Sequence, residues 1–186
     1  MHCYADNVYF LHLNYVISYK KYLMKSLYFI RHAKSSWENY TVDFNRDLIP
    51  IGILNSQLMA LKTKSLIPND VVIWSSNSNR AKKTCIIFTE IWNHNQKLIY
   101  FSDELYTFDA FKLANIIKNC PNSVENLIIF GHNPAITDFV NKFGDRLIDN
   151  VPTSGFVKLN FPVSDWNFIK TANTEYFITP RQLRNE

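Results

Sequence analysis

Four short unbroken apolar runs, at residues 27–30, 71–74, 98–101 and 127–130, punctuate the chain after its first two dozen positions. Runs of this length predict strands buried on both faces, as in a sheet covered by helices. The segments between them change to helical spacing. In residues 50–65, Ile51, Leu54, Leu58 and Leu61 recur three or four positions apart, which predicts their side of the helix as the buried one, with Pro50 suited to the first turn. Residues 80–92 set Ala81, Cys85, Phe88 and Trp92 on one stripe. Residues 109–119 do so with Leu113, Ile116 and Ile117, and residues 134–143 with Ile136, Phe139, Val140 and Phe143. Two further strands are predicted at 155–161 and 166–172, separated by Pro162 and Asp165. The alternation predicts an α/β fold, a three-layer α/β/α sandwich with a mostly parallel central sheet.

Ligands of such sheets bind outside the carboxyl ends of the strands, so the polar residues after each run carry the chemistry. Arg31 and His32 follow the first run, and Ser75, Ser76 and Arg80 the second. Glu104 follows the third, and Gly131, His132 and Asn133 the fourth. Two arginines, two histidines and a carboxylate are thereby predicted to meet on one rim. A cation at position 80, in the first turn of a helix, opposes the macrodipole unless an anion lies between it and the backbone N–H groups. Two guanidiniums and a helix N-terminus suit a phosphoryl group. A neutral imidazole can attack phosphorus to give a covalent phosphohistidine that water later hydrolyses. A second imidazole can stabilise the equatorial oxygens. Glycine at position 131 would let the backbone approach the phosphate. This chemistry needs no metal and no other cofactor.

Composition narrows the picture without changing it. The 186 residues suit one domain, and 47% apolar with 19% charged content excludes a disordered or fibrous chain. A net charge of +4 suits an anionic ligand, but the basic residues are scattered, with no tract for nucleic acid. No apolar run is long enough for a membrane span. Cys3, Cys85 and Cys120 are odd in number and widely spaced, which argues against a disulfide framework or structural zinc and for a reducing, cytoplasmic setting; Cys85 and Cys120 fall in apolar helical patterns and are expected to be buried thiols. Only four glycines occur, and the abundant asparagines are expected to fill turn positions in their place. Residues 1–23 stand apart, aromatic and apolar but without clean periodicity, basic n-region or cleavage site. They are read as an extension upstream of a natural start at Met24, the alternative being a packed accessory segment.

The segment Leu27-Tyr28-Phe29-Ile30-Arg31-His32-Ala33-Lys34-Ser35 resembles the Arg-His signature of the histidine phosphatase (phosphoglycerate-mutase-like) superfamily. The resemblance runs from about Lys25 to Thr171 and is greatest to the small SixA-type phosphohistidine phosphatases. Supporting pieces are Arg31 to Trp37, Asp43-Phe44-Asn45-Arg46, Ser75-Ser76 with Arg80-Ala81, Glu104-Leu105-Tyr106, Gly131-His132-Asn133-Pro134 and Pro152-Thr153-Ser154-Gly155. It implies a phosphoglycerate-mutase-like fold and a single histidine phosphatase domain over residues 24–186. It also implies roles: His32 the phosphorylated nucleophile, Arg31 and Arg80 the phosphate ligands, and His132 the residue that completes the pocket. Ala33 stands where many members have glycine, Asn77 replaces a frequent proline, and Ser154 stands where cysteine or glycine is frequent. None of these touches the four pocket residues.

The general acid is open. Glu104 occupies the region where the superfamily often carries it, and Asp43 and Asp47 are rivals in the loop after the Arg-His segment. An alkoxide leaving group gains from protonation, typically ~10²–10⁴-fold, whereas imidazole leaves readily, so a poorly placed acid would point to phosphoramidates. A short domain with few insertions suggests an open pocket, suited to phosphohistidine in a protein. The alternatives are a small phosphate ester as substrate, including a nucleoside diphosphate or coenzyme, or a module that binds phosphate without turnover. A mutase is disfavoured by the missing capping insertions. Trp37 and Tyr40 are candidates for partner contact.

Overall fold

The computed structural model describes residues 24–37 and 42–184. The expectations for residues 1–23, including Cys3, and for Tyr40 lie outside the described residues.

Six strands form one sheet: β1 (Lys25–Arg31), β2 (Val71–Ser76), β3 (Tyr100–Ser102), β4 (Asn126–Gly131), β5 (Phe156–Phe161) and β6 (Asn173–Ile178). Their spatial order is β3-β2-β4-β1-β5-β6. The pairs β1–β4, β2–β4 and β2–β3 are parallel, and β5 runs antiparallel to both β1 and β6. The sheet is thus mostly parallel, as the apolar runs predict.

Period-two alternation distributes the core to both faces. Leu27, Phe29, Leu127 and Ile129 point into one cluster with Leu113, Ile117, Ile136, Phe139 and Val140. These come from α3 (Ala110–Lys118) and α4 (Ala135–Phe143). Tyr28, Ile30, Ile128 and Phe130 point the other way, onto Met59 and Ala60 of α1 (Pro50–Thr63) and Cys85, Phe88 and Trp92 of α2 (Asn79–Trp92). A single turn, α5 (Pro180–Leu183), closes the chain. Cys85 and Cys120 are buried free thiols, and burial pushes the Cys120 pKa up to about 12. Among the described residues no helix is long and apolar enough to cross a membrane.

Three expectations need correction. The first concerns α1, whose predicted buried stripe lies outward: Leu54 and Leu61 are 59% and 63% exposed, and Ile51 is exposed too. Its inner face is Gly52, Asn55, Ser56, Met59, Ala60 and Thr63. Small residues are needed there because the helix comes close to the loop after β1. A Cβ on Gly52 would collide with the Lys34 carbonyl oxygen. The second concerns residues 166–172, which are not a strand. Residues 166–168 form a 3-10 turn capped by Asp165, with Trp166 fully buried and its Nε1 donating to the Val124 carbonyl. The strand follows at 173–178. Third, the run 98–101 is strand only from Tyr100, and a 3-10 turn at 96–98 precedes it.

Candidate active site

The parallel register aligns the carboxyl ends of β1, β2 and β4, with Arg31 opposite Gly131 and Ser75 opposite Phe130. His32 and His132, one residue past their strands, therefore lie side by side, with ring centroids 5.1 Å apart. The His32 amide donates to the Gly131 carbonyl at 3.0 Å, which fixes the relation of the two strand ends.

The His32 ring is oriented from both sides. Its Nδ1 lies 2.8 Å from the Ala33 carbonyl, which can only accept, so Nδ1 carries the proton. Nε2 then holds a lone pair, and Arg80 Nε donates to it at 3.2 Å. Burial is the largest cause that lowers the His32 pKa from 6.5 to about 3; the Ala33 bond, next in size, opposes it, and the positive charges of Arg80, Arg31 and Arg46 add to the lowering. The imidazole is neutral at neutral pH.

Arg80 enters from the first turn of α2 and is only 2% exposed. Besides His32 it reaches Asp43, with Nη2 2.9 Å from Oδ2 and Nη1 on the backbone carbonyl. Nη2 also approaches His132 Nδ1 at 3.5 Å. On the far side of that ring, Nε2 is 2.9 Å from Ser76 Oγ and 3.3 Å from Ser78 Oγ. His132 is brought down to about 2 by burial first, then by His32 and Arg80. Arg31 donates through Nη1 to the Val151 carbonyl at 2.8 Å and to Asn150 Oδ1 at 3.2 Å. Its Nε is buried without a partner.

Among the described residues Asp43 is the only carboxylate lining the cleft, which it shares with Arg31, Lys34, Arg46 and Arg80. Oδ1 takes Arg46 Nη1 at 2.8 Å, and Oδ2 takes Arg80 and the Tyr106 hydroxyl. Partial burial raises its pKa, but the bonds from Tyr106, Arg46 and Arg80 outweigh that and hold it well below the carboxylate range. Asp43 is thus an ionised clamp between two arginines. Asp47 is paired with Lys83 at 2.6 Å and lines another groove.

The cleft has a volume of about 530 Å³. It gathers Arg31, His32 and Arg80, with His132 packed behind them; Glu104 is not brought in. Glu104 is exposed and lines a separate apolar groove with Val72, Trp74 and Ile116. Residues 103–105 form a 3-10 turn. Tyr106 lies just past that turn with its hydroxyl on Asp43, while Glu104, inside it, lines the other groove. Gly131 does not serve as expected either: a Cβ there would meet Ile136 at an ordinary 3.5 Å, on the core side. The reading of single residues missed Arg46 and Tyr106 as partners of Asp43. Their signal was their place in the motifs Asp43 to Arg46 and Glu104 to Tyr106. Among the described residues, no three His, Cys, Asp or Glu side chains cluster as a metal site.

No family model matches the sequence, and no curated protein matches it. Solved structures do match. One is a protein from Agrobacterium tumefaciens assigned as the phosphohistidine phosphatase SixA, with a TM-score of 0.69 at 22% identity over 84% of this chain and 98% of that one. Another is a protein histidine phosphatase SixA complexed with tungstate, at 0.71 and 18% over 85% and 99%. A mycobacterial glucosyl-3-phosphoglycerate phosphatase follows at 0.58 and 11% over 82% and 97%. The fold is therefore the phosphoglycerate-mutase-like fold of histidine phosphatases.

Proposed function

We propose that the protein is a metal-independent phosphatase that works through a phosphorylated His32, with phosphohistidine in proteins as its substrate class. The observation that carries this is the meeting in one cleft of a neutral His32, whose Nε2 lone pair is held by the Arg80 Nε–H, and Arg31, whose buried Nε has no partner. A buried donor without an acceptor is costly, and a phosphoryl oxygen would satisfy it. Three arginines and Lys34 against one carboxylate leave the cleft net positive, matched to a dianion.

In the first step the Arg80 Nε–H hydrogen bond passes from His32 Nε2 to a phosphoryl oxygen, the freed Nε2 attacks phosphorus, the bond from phosphorus to the leaving group breaks, and the phosphoryl group moves to Nε2. Arg31 and Arg80 bind the equatorial oxygens, with His132 completing the pocket. In the second step water attacks phosphorus, the P–Nε2 bond breaks, and phosphate leaves with the proton passed to solvent. The leaving group selects the substrate class. Asp43 is held ionised, and Glu104 and Asp47 lie outside the cleft. Among the described residues no carboxylic acid is poised for an alkoxide. A phosphohistidine ring protonated on its remote nitrogen leaves as neutral imidazole and needs none.

The test compares turnover of a phosphohistidine peptide and an alkyl phosphate, in EDTA, by the native protein and His32→Ala. The expected result is His32-dependent turnover favouring phosphohistidine, with a phosphorylated protein trapped by alkaline quench. Comparable cleavage of the alkyl phosphate would make it a general phosphomonoesterase. Saturable phosphate binding without turnover of either would make it a binding module.

A further inference from the structure

Trp37 stands at the mouth of the cleft, 76% exposed, an unusual position for the largest apolar side chain. It is nevertheless held in place. The Arg46 guanidinium lies 3.3 Å from the indole ring centre. Arg46 is itself buried and fixed: Nε donates to the Ser36 carbonyl, Nη1 to Asp43 and Nη2 to Ser35 Oγ, each at 2.8 Å. One face of the indole is thereby pinned to a buried, hydrogen-bonded cation, and the side chain stays mostly exposed. Phe108, 45% exposed, lines the same cleft. Its ring packs 5.2 Å from Tyr106 and 5.6 Å from His132. Neither exposed aromatic adds core burial to the fold, yet both are anchored to residues that orient the phosphate site.

We infer that Trp37 and Phe108 form the leaving-group subsite, which receives a planar ring attached to the bound phosphoryl group. This rests on the phosphatase reading above and names what selects the substrate. On that reading the phosphoryl group lies beside His32, Arg31 and Arg80, and its leaving group projects towards the cleft mouth, where the two aromatics stand. A flat imidazole gains stacking there, while an alkyl chain or ammonia gains little. Arg46 then has two tasks: it clamps Asp43 and backs the Trp37 platform.

Selectivity is the readout. The ratio of kcat/KM for a phosphohistidine peptide to that for phosphoramidate, whose leaving group is ammonia, is measured for the native protein, Trp37→Ala, Trp37→Phe and Phe108→Ala. Stacking of this kind corresponds to roughly 2- to 12-fold in affinity. The ratio is expected to fall by about that factor in Trp37→Ala and Phe108→Ala, chiefly through KM, and to be largely kept in Trp37→Phe. An unchanged ratio in both alanine variants would overturn the subsite and leave the phosphatase reading standing. A native protein that turns over neither compound would overturn both. Because Trp37 is so exposed, its removal leaves the core intact, and a circular dichroism melt of each variant confirms it.

Discussion

Asp43 decides which chemistry the cleft can perform. A general acid must hold a proton when the leaving group departs, and three donors keep this carboxylate charged. If it acts as a clamp, Asp43→Asn lowers kcat/KM by the same factor whatever the leaving group, since what is lost is the aim of Arg80. Charge-assisted hydrogen bonds of this type are worth about 1.5–3 kcal/mol, or roughly 10- to 150-fold in rate. A loss far greater for an alkyl phosphate than for phosphoramidate would show that Asp43 donates a proton. Tyr106→Phe removes only one of the three donors and is expected to cost a few-fold. His32 has its own signature. With its pKa near 3, the free protein should show a neutral, Nδ1-protonated ring by nitrogen NMR from about pH 8 down to about pH 5, well past the ordinary midpoint of ~6.5. A midpoint near that ordinary value would mean that burial and the arginines do not act as described.

The elements show what the sequence could and could not tell. Apolar runs located the central strands, because a strand buried on both faces has no polar positions to confuse the pattern. Helical spacing found α1 but chose the wrong face. The rule assumes that the inner face is the apolar one, and in α1 close approach required Gly52, Ser56 and Ala60 instead. Residues 166–172 failed for a related reason: their aromatic content reflects a buried Trp166 below the sheet, not a strand. The site was legible because its residues follow strand ends, where topology alone brings them together. Tyr106 and Arg46 escaped the reading of single residues because they act through Asp43, across a loop whose shape no periodicity encodes. The α1 correction yields a paired prediction. Gly52→Ala, which drives a methyl into the Lys34 carbonyl, should cost about 1–3 kcal/mol and lower activity by displacing the segment after His32. Leu54→Gln or Leu61→Gln, at more conspicuous apolar positions, should change stability by within about 0.5 kcal/mol. Urea unfolding midpoints measure all three, and a large loss at Leu54 would restore the stripe as a covered face.

Across the whole molecule, the site is assembled at the expense of acid stability. His32 and His132 are buried neutral, with pKa values of about 3 and 2, whereas in the unfolded chain each titrates near ~6.5. Between those values the unfolded state binds more protons than the folded one, so stability rises with pH through this window and falls as the solution is acidified below about 6.5. At pH 5 the loss is about 2 kcal/mol for each histidine, a large share of the roughly 5–15 kcal/mol that holds a domain together. Asp43 acts in the same direction lower down. Its folded pKa lies below the ordinary 3.8, so its contribution is present above that value and is lost as pH falls past it. The protein is therefore expected to unfold in mild acid well before its ordinary carboxylates are titrated. Replacing His132 with asparagine, which cannot take up a proton, should remove about half of the stability lost between pH 7.5 and pH 5 in denaturant titrations. An unchanged slope in that variant would mean that the acid sensitivity arises elsewhere in the fold. Phosphate provides the counterpart at neutral pH, because an anion bound among Arg31, Arg80 and His32 binds only the folded state and should raise the unfolding midpoint with its concentration.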